Sequence, residues 1–444
     1  MFDETIVAIA TANGVGSISI VRVSGKDALS IATKIANKNE FKPRLATLAT
    51  LQDSNSDAID EALVLYFKAP FSFTGEDVVE FQCHGGIAIS NIVVAEVIKH
   101  GARMAQPGEF SKRAFLNGKI DLTKAEAIAK IIEARSEDAV KLLAKQLKGE
   151  LTTFVNDIRE DLLFMLAYTE VNIDYAEEDL PSDIYQQIQD KLEIITGKLQ
   201  NTLEASKRRE GLIEGFKVAI IGKPNVGKSS LLNKLLNFDR AIISDIAGTT
   251  RDTIEESVKI GTHIIKIVDT AGIREASDVI EQIGIEKSLE AVEEADIVIA
   301  LFDNSKPLEN EDKKILEILE DTNKEVITVL NKCDLESNFE TSVLGNHLSL
   351  STKESINPLI AQLETILDSN THSDEMSLIS KRQVDAVETT LVHISLAYTP
   401  LSSGELEFFA YHIGEALENI SNITRPYEHD QMLDVMFGEF CLGK

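Results

Sequence analysis

The feature that most limits what this chain can fold into is the segment Gly222-Lys-Pro-Asn-Val-Gly227-Lys228-Ser229. It is a G-x-x-x-x-G-K-S loop set between a strand-like run at residues 217–221 and a helical run at 229–236. A strand that feeds a glycine-rich turn and then a helix aims successive backbone N–H groups at one point. That point lies at a helix N-terminus, whose partial positive charge attracts anions. The loop predicts a phosphate site in a mostly parallel α/β sheet. Lys228 is placed to reach β- and γ-phosphates, and the Ser229 hydroxyl to ligate Mg²⁺. An ordinary glycine-rich turn would explain the spacing alone, but not the motifs that follow it.

Those motifs come in a fixed order. Asp269-Thr270-Ala271-Gly272 closes the run at residues 263–268. An aspartate there can hold the magnesium shell through water, and the Gly272 N–H can sense a γ-phosphate. Asn331-Lys332-Cys333-Asp334 closes the run at 326–330. The Asp334 carboxylate can accept both N1–H and the exocyclic N–H of guanine, a donor pair that adenine lacks. Ser349-Leu350-Ser351 falls where a loop would back the base, a departure from the commoner Ser-Ala-Lys. Between the first two motifs lies Ser244-Asp245-Ile246-Ala247-Gly248-Thr249-Thr250, with Thr250 as the switch threonine that ligates Mg²⁺. With Asn225, Val226, Gly227 and Ser230 around the phosphate loop, these residues predict a GTP site. Cys333, inside the guanine motif, reads as a spacer. Ras-like enzymes place a water-orienting glutamine directly after D-x-x-G; here Ile273 stands there, and an apolar side chain cannot orient water. Hydrolysis must recruit another group. Asn225 resembles the asparagine by which some such GTPases bind K⁺ beside the phosphates, supplying the charge of an arginine finger. Glu281 can orient water after a rearrangement, although its spacing equally suits a solvated helix charge.

The rest of the chain divides by pattern. Residues 1–119 alternate strand-like runs (6–10, 17–23, 62–67, 77–82) with helical ones and read as an α+β domain. Residues 120–214 read as helical: from 122 to 180 there is no proline and one glycine, Gly149, and apolar residues recur every three or four positions. Residues 215–371 alternate strand and helix, the pattern of a parallel sheet. A polar stretch at 368–375 precedes helical runs at 377–398 and 404–422 within 372–444. The economical architecture is an α/β domain inserted into a discontinuous all-α domain, with contact between the two helical segments inferred.

Charge and cysteines exclude other classes. The chain carries 44 Lys+Arg against 73 Asp+Glu, a net charge of −29. The imbalance is −1 over residues 1–119 (12 basic, 13 acidic), −8 over 120–214 and −20 over 215–444. A broad basic face for nucleic acid is therefore excluded. Three scattered cysteines give neither a disulfide framework nor a zinc pattern. Acids at Asp3 and Glu4 oppose a signal peptide, and no apolar run is long enough for a bilayer. A cytoplasmic protein without a membrane partner is expected. Cys83-His84 invites a metal or nucleophile reading, but Gly85-Gly86 beside it favours a tight turn.

The flanks narrow the reading. Phe73-Thr-Gly-Glu-Asp-Val-Val-Glu-Phe-Gln-Cys-His-Gly-Gly86, the segment at 103–122 and the terminal Phe440-Cys-Leu-Gly-Lys444 together resemble the MnmE (TrmE) family of tRNA-modification GTPases over the full chain. The resemblance implies an N-terminal tetrahydrofolate-binding and dimerisation domain, a discontinuous helical domain and an inserted GTPase domain. It implies a homodimer whose GTPase domains approach each other when GTP and K⁺ bind. It implies a flavoprotein partner of the MnmG/GidA type, which carries FAD and NADH. Together the two add a carboxymethylaminomethyl group at C5 of the wobble uridine in certain tRNAs, drawing a one-carbon unit from methylene-tetrahydrofolate. Position by position, Arg22, Glu80, Lys119 and Lys444 resemble the family's formyl-tetrahydrofolate contacts; by residue type alone, Arg22 and Lys119 are ordinary surface bases. Asn225, Ser244, Ile246 and Thr249 match its K⁺ ligands, and Glu281 the glutamate that positions the hydrolytic water. Lys228 and Thr250 complete the catalytic set. Cys441 either fills an apolar face with Leu433, Val435, Phe437 and Phe440 or, near the folate, acts in one-carbon transfer.

Two rivals share the nucleotide motifs. A ribosome-assembly GTPase switch needs an RNA-binding appendage, which the acidic segment 375–444 (4 basic, 11 acidic) opposes. A GTP-binding scaffold without useful hydrolysis is opposed by the intact Ser229, Thr250 and Asp269.

Overall fold

The computed structural model describes residues 4–12, 14–134, 136–174, 182–238, 256–268, 283–369 and 376–425, with 437, 438, 440 and 443. Its contacts divide the chain into two units. One comprises residues 1–129, 146–179 and 392–444; the other comprises 130–145 and 180–391.

The first unit is built on a six-stranded sheet. Its strands are β1 (Ile6–Ile9), β2 (Ile18–Ser24), β3 (Thr47–Gln52), β4 (Ala58–Phe67), β5 (Val78–His84) and β6 (Arg103–Met104). They lie in the order β3-β4-β5-β2-β1-β6, antiparallel except for β1 and β6. Alternation decides which face each side chain takes. Val7, Val21, Val23, Val79 and Phe81 are buried under the helices Ala28–Ile35 and Ile87–Lys99. Ile6 and Ala8 face the other way, against Phe110 of the helix Glu109–Leu116. Arg22, between Val21 and Val23, is turned to that second face.

The helix Glu150–Asp174 packs along Leu406–Ser421. Leu151, Val155, Ile158, Leu162 and Met165 keep a three-and-four spacing and are buried, as are Phe409, Ile413, Ala416 and Ile420. The expected helical stretch after residue 122 is three helices, Leu122–Glu133, Glu137–Leu147 and Glu150–Asp174. Gly149 takes φ +89°, a left-handed conformation that ends a helix. Ser136 Oγ accepts the Ala139 N–H at 3.1 Å and caps the next start. β3 was not foreseen: its Leu-Ala-Thr-Leu run holds only two buried residues, Ala49 and Leu51.

The second unit holds a sheet of β7 (Phe216–Ile221), β8 (Glu256–Ile260), β9 (His263–Val268), β10 (Ile297–Asp303), β11 (Glu325–Asn331) and β12 (Leu348–Ser349). The order is β12-β11-β10-β7-β9-β8, parallel except for the β8–β9 hairpin. Every residue of β10 is buried, as a central strand covered on both faces requires. The helices Lys228–Phe238 and Asn357–Ser369 cover one face, and Ile283–Glu294 and Asn310–Glu320 the other. From β7 the chain crosses first to β8–β9 on one side and later to β10 on the other. Such a reversal opens a crevice at the carboxyl ends of the strands.

Candidate functional site

The loop after β7 ends in the helix Lys228–Phe238, and glycine is required at both of its ends. Gly222 takes φ +154°, and a Cβ there would lie 2.7 Å from the Leu301 carbonyl oxygen. Gly227 takes φ +112°, and its Cβ would lie 2.3 Å from Asn331 Nδ2. The loop backbone thus approaches neighbouring strands more closely than any side chain permits. Asn225 sits between them at φ +65°. Lys228 is half-buried; its ammonium donates to the Gly222 carbonyl at 2.5 Å and the Lys223 carbonyl at 3.0 Å. Burial pulls its pKa below the ordinary lysine range. A cation stripped of water in this way is strongly attracted to anionic oxygens. Ser229 and Ser230 are exposed on the first turn of the helix.

The loop after β11 is fastened to the phosphate loop. Asn331 is fully buried: Nδ2 donates to the Val226 carbonyl at 2.8 Å, and Oδ1 accepts the Thr352 N–H at 2.9 Å. Lys332, at φ +64°, donates to the Asn225 carbonyl at 2.7 Å and to Asp303 Oδ2 at 2.6 Å. Burial pushes the Asp303 carboxyl up, but Lys332 and Ser305 outweigh it and hold it below the usual range. Asp334 is exposed, accepts the Ser351 hydroxyl at 2.8 Å, and is held low by that bond. A charged acceptor therefore stands next to the Ser349-Leu350-Ser351 loop. That loop is tied in turn by Leu350 N–H to the Leu330 carbonyl at 3.0 Å and Cys333 N–H to the Leu350 carbonyl at 3.2 Å.

The structure thus brings Asn225–Ser230, Asn331–Asp334 and Ser349–Ser351 to one edge of the sheet. Residues 244–250 and 269–272, with Glu281, Cys441 and Lys444, lie outside the described residues. Sequence reasoning missed Asp303, Thr352 and Lys223. Asp303 had a readable signal, a carboxylate closing an unbroken apolar strand at its carboxyl end.

A separate cluster lies in the first unit. Arg22 and Glu80 face each other across β2 and β5, and Arg22 Nε donates to Glu80 Oε1 at 2.9 Å. The guanidinium stands 5.7 Å from the ring centres of both Phe73 and Phe110. Lys119 is held elsewhere, donating to the Pro70 carbonyl at 2.8 Å. Beneath them Arg113, fully buried, bonds Glu76 at 3.0 Å and Glu109 at 2.8 Å, and Arg103 also grips Glu109. Gly443, at φ +97°, is so close to β1 that a Cβ would lie 2.3 Å from the Ile9 carbonyl oxygen. Gly443 therefore lies against the strand beside β2. Cys83 is buried and pushed up to about 12 by burial and Asp60, which is no setting for a nucleophile. His84 Nδ1 lies 2.7 Å from Asp60, and a Cβ on Gly85 would strike the Gly16 carbonyl oxygen at 2.2 Å. The tight turn is what the segment builds. Among the described residues no group of three His, Cys, Asp or Glu can hold a metal ion, and no helix is long and apolar enough to cross a membrane.

A mostly parallel sheet with a glycine-framed phosphate loop, and a carboxylate-bearing loop locked to it, defines a P-loop nucleotide-binding protein of the guanine-selective kind. Two family descriptions match the chain: "GTP-binding protein TrmE N-terminus" over residues 5–119 and "MnmE helical domain" over 122–441. The tRNA modification GTPase MnmE of Aliarcobacter butzleri is 76% identical over the whole of both chains. That of Sulfurimonas denitrificans is 60% identical, again over the whole of both, and that of Sulfurovum sp. is 57% identical over 99% of each. The chain belongs to the MnmE (TrmE) family of tRNA-modification GTPases.

Proposed function

We propose that this chain hydrolyses GTP to drive a conformational cycle in a tRNA-modifying complex. The complex adds a carboxymethylaminomethyl group at C5 of the wobble uridine, working with an FAD-dependent flavoprotein of the MnmG/GidA type. The observation that carries the nucleotide half is the bond chain from Asn225 through Lys332 to Asp303, with Asn331 bridging Val226 and Thr352. It makes phosphate recognition and base recognition one rigid unit, so a guanine held at Asp334 fixes where its phosphates lie. Asp334, hydrogen-bonded by the Ser351 hydroxyl, is the guanine reader. Lys228 and the loop N–H groups hold the phosphates.

The residues present suit Mg²⁺ through Ser229, which lies on the first turn of the helix, with Thr250 as the second protein ligand. Asn225 supports K⁺ with Ser244, Ile246 and Thr249. These cations neutralise charge that develops on the phosphates. Glu281 orients the attacking water. In the first unit, Arg22 beside the Phe73 and Phe110 rings, with its partner Glu80, offers a donor, an acceptor and two aromatic rings. That set suits the pterin edge of 5-formyl- or methylene-tetrahydrofolate, with Lys119 and Lys444 toward its carboxylates. The folate supplies the one-carbon unit, and Cys441 is a candidate for its transfer. The working assembly is a homodimer joined through residues 1–119, within which the inserted GTPase domain moves.

The test is GTP turnover by the full chain in KCl and in NaCl. Turnover should be several-fold faster in KCl, and Asn225→Ala should erase the difference. Equal rates in the two salts would refute the potassium assignment. Glu281→Ala should leave GTP binding intact while turnover collapses.

A further inference from the structure

Lys223 is the second residue of the phosphate loop, yet its side chain points away from the crevice into the protein. Only 3% of that side chain is exposed. Its ammonium donates to Asp312 Oδ2 at 2.6 Å and to Glu309 Oε2 at 2.9 Å, both at the start of the helix Asn310–Glu320. Asp312 is wholly buried; its Oδ2 also accepts the Glu309 N–H at 3.0 Å, and its Oδ1 has no hydrogen-bond partner. The two carboxylates cancel the lysine charge, so Lys223 adds nothing to the attraction for phosphate. Its backbone is another matter. The carbonyls of Gly222 and Lys223 are the two that hold the Lys228 ammonium.

We propose that Lys223 is a positioning residue for nucleotide binding, clamping the first half of the phosphate loop to the start of the helix Asn310–Glu320. The loop is then fastened on both sides. Asn331 and Lys332 grip Val226 and Asn225 from the base-recognition side, and Asp312 and Glu309 grip Lys223 from the other. A loop fixed before binding loses less conformational freedom when phosphates arrive. Without the clamp, the Gly222–Lys223 carbonyls and the Lys228 ammonium they hold lose their fixed place. Affinity falls, and because Lys228 belongs to the catalytic set, turnover falls with it.

The inference rests on the nucleotide site proposed above, and the experiment separates the two. Lys223→Met alone strands a buried carboxylate and endangers folding, so it is combined with Asp312→Asn. Glu309→Gln tests the exposed arm of the clamp. Each full-length variant is titrated with a fluorescent GDP analogue, and its GTP turnover is resolved into kcat and KM. The double variant should bind GDP about tenfold more weakly, with KM for GTP raised in parallel, kcat lowered as Lys228 loses its place, and the preference for GTP over ATP unchanged. Glu309→Gln should weaken GDP binding by about threefold. GDP affinity within twofold of the parent in both variants, or a changed preference for GTP over ATP, overturns the proposal. Failure of the unaltered chain to bind GDP overturns the site itself.

Discussion

Asp303 joins the two halves of the nucleotide site through one side chain. Its Oδ2 holds Lys332, which reaches the Asn225 carbonyl, while Oδ1 accepts the Ser305 hydroxyl at 2.6 Å. Replacing it with asparagine keeps the shape and removes the charge. A hydrogen bond to a charged partner contributes about 1.5–3 kcal/mol. Asp303→Asn should therefore weaken GDP binding at least about tenfold, read by titration with a fluorescent analogue. Unchanged affinity would mean that Lys332 keeps its place without a charge partner. Gly227→Ala is the steric counterpart. Its Cβ would meet Asn331 Nδ2 at 2.3 Å, from a φ of +112° that alanine rarely adopts. Nucleotide binding should be lost while the first unit's sheet still folds, as circular dichroism and folate titration would report.

At the scale of elements, the helix Glu109–Leu116 is fastened under its sheet by charge. Burial pushes Glu109 up, but Arg103, the Gln106 N–H and Arg113 outweigh it and pull the carboxyl down to about 2. A carboxyl whose pKa falls on folding stabilises the native state above its unfolded value, near 4.5. That contribution is lost as pH drops from there toward 2. The shift corresponds to on the order of 3 kcal/mol. Unfolding midpoints should therefore fall steeply below about pH 4.5, and Glu109→Gln should flatten that dependence while lowering stability at neutral pH. An identical acid profile in the variant would assign the effect to other carboxylates. Gly443 supplies a second element-level test. On the proposed folate site, Gly443→Ala, whose Cβ would meet the Ile9 carbonyl oxygen, should weaken formyl-tetrahydrofolate binding by about tenfold.

These elements also show what could be read in advance. The order of phosphate loop, D-x-x-G and N-K-x-D fixed the second sheet, because each motif closes a buried strand at its carboxyl end. The Arg22–Glu80 pair was legible only by resemblance, since cross-strand register is not written in local spacing. β3 was missed because its burial is slight. The break at Gly149 was passed over because an isolated glycine is tolerated in a helix until its φ turns positive. Lys223, Asp303 and Thr352 escaped because their roles arise from partners 21 to 89 residues away in sequence.

For the whole molecule, the net charge of −29 sets how it can meet RNA. Such a surface repels phosphate, so tight autonomous tRNA binding is not expected. The chain alone should bind tRNA weakly, with affinity falling as salt rises, and the complex proposed with a flavoprotein should bind much better. Tight binding by the chain alone, insensitive to salt, would contradict this. A protein with this fold, nucleotide site and family serves tRNA modification through GTP turnover, and one measurement tests that most directly. Nucleosides of bulk tRNA are analysed by mass spectrometry from a strain lacking the gene, and from the same strain carrying either the intact chain or Lys228→Ala. Carboxymethylaminomethyluridine should vanish in the deletion, return with the intact chain and stay absent with Lys228→Ala. Normal levels of that nucleoside in the deletion strain, or full restoration by Lys228→Ala, would contradict it.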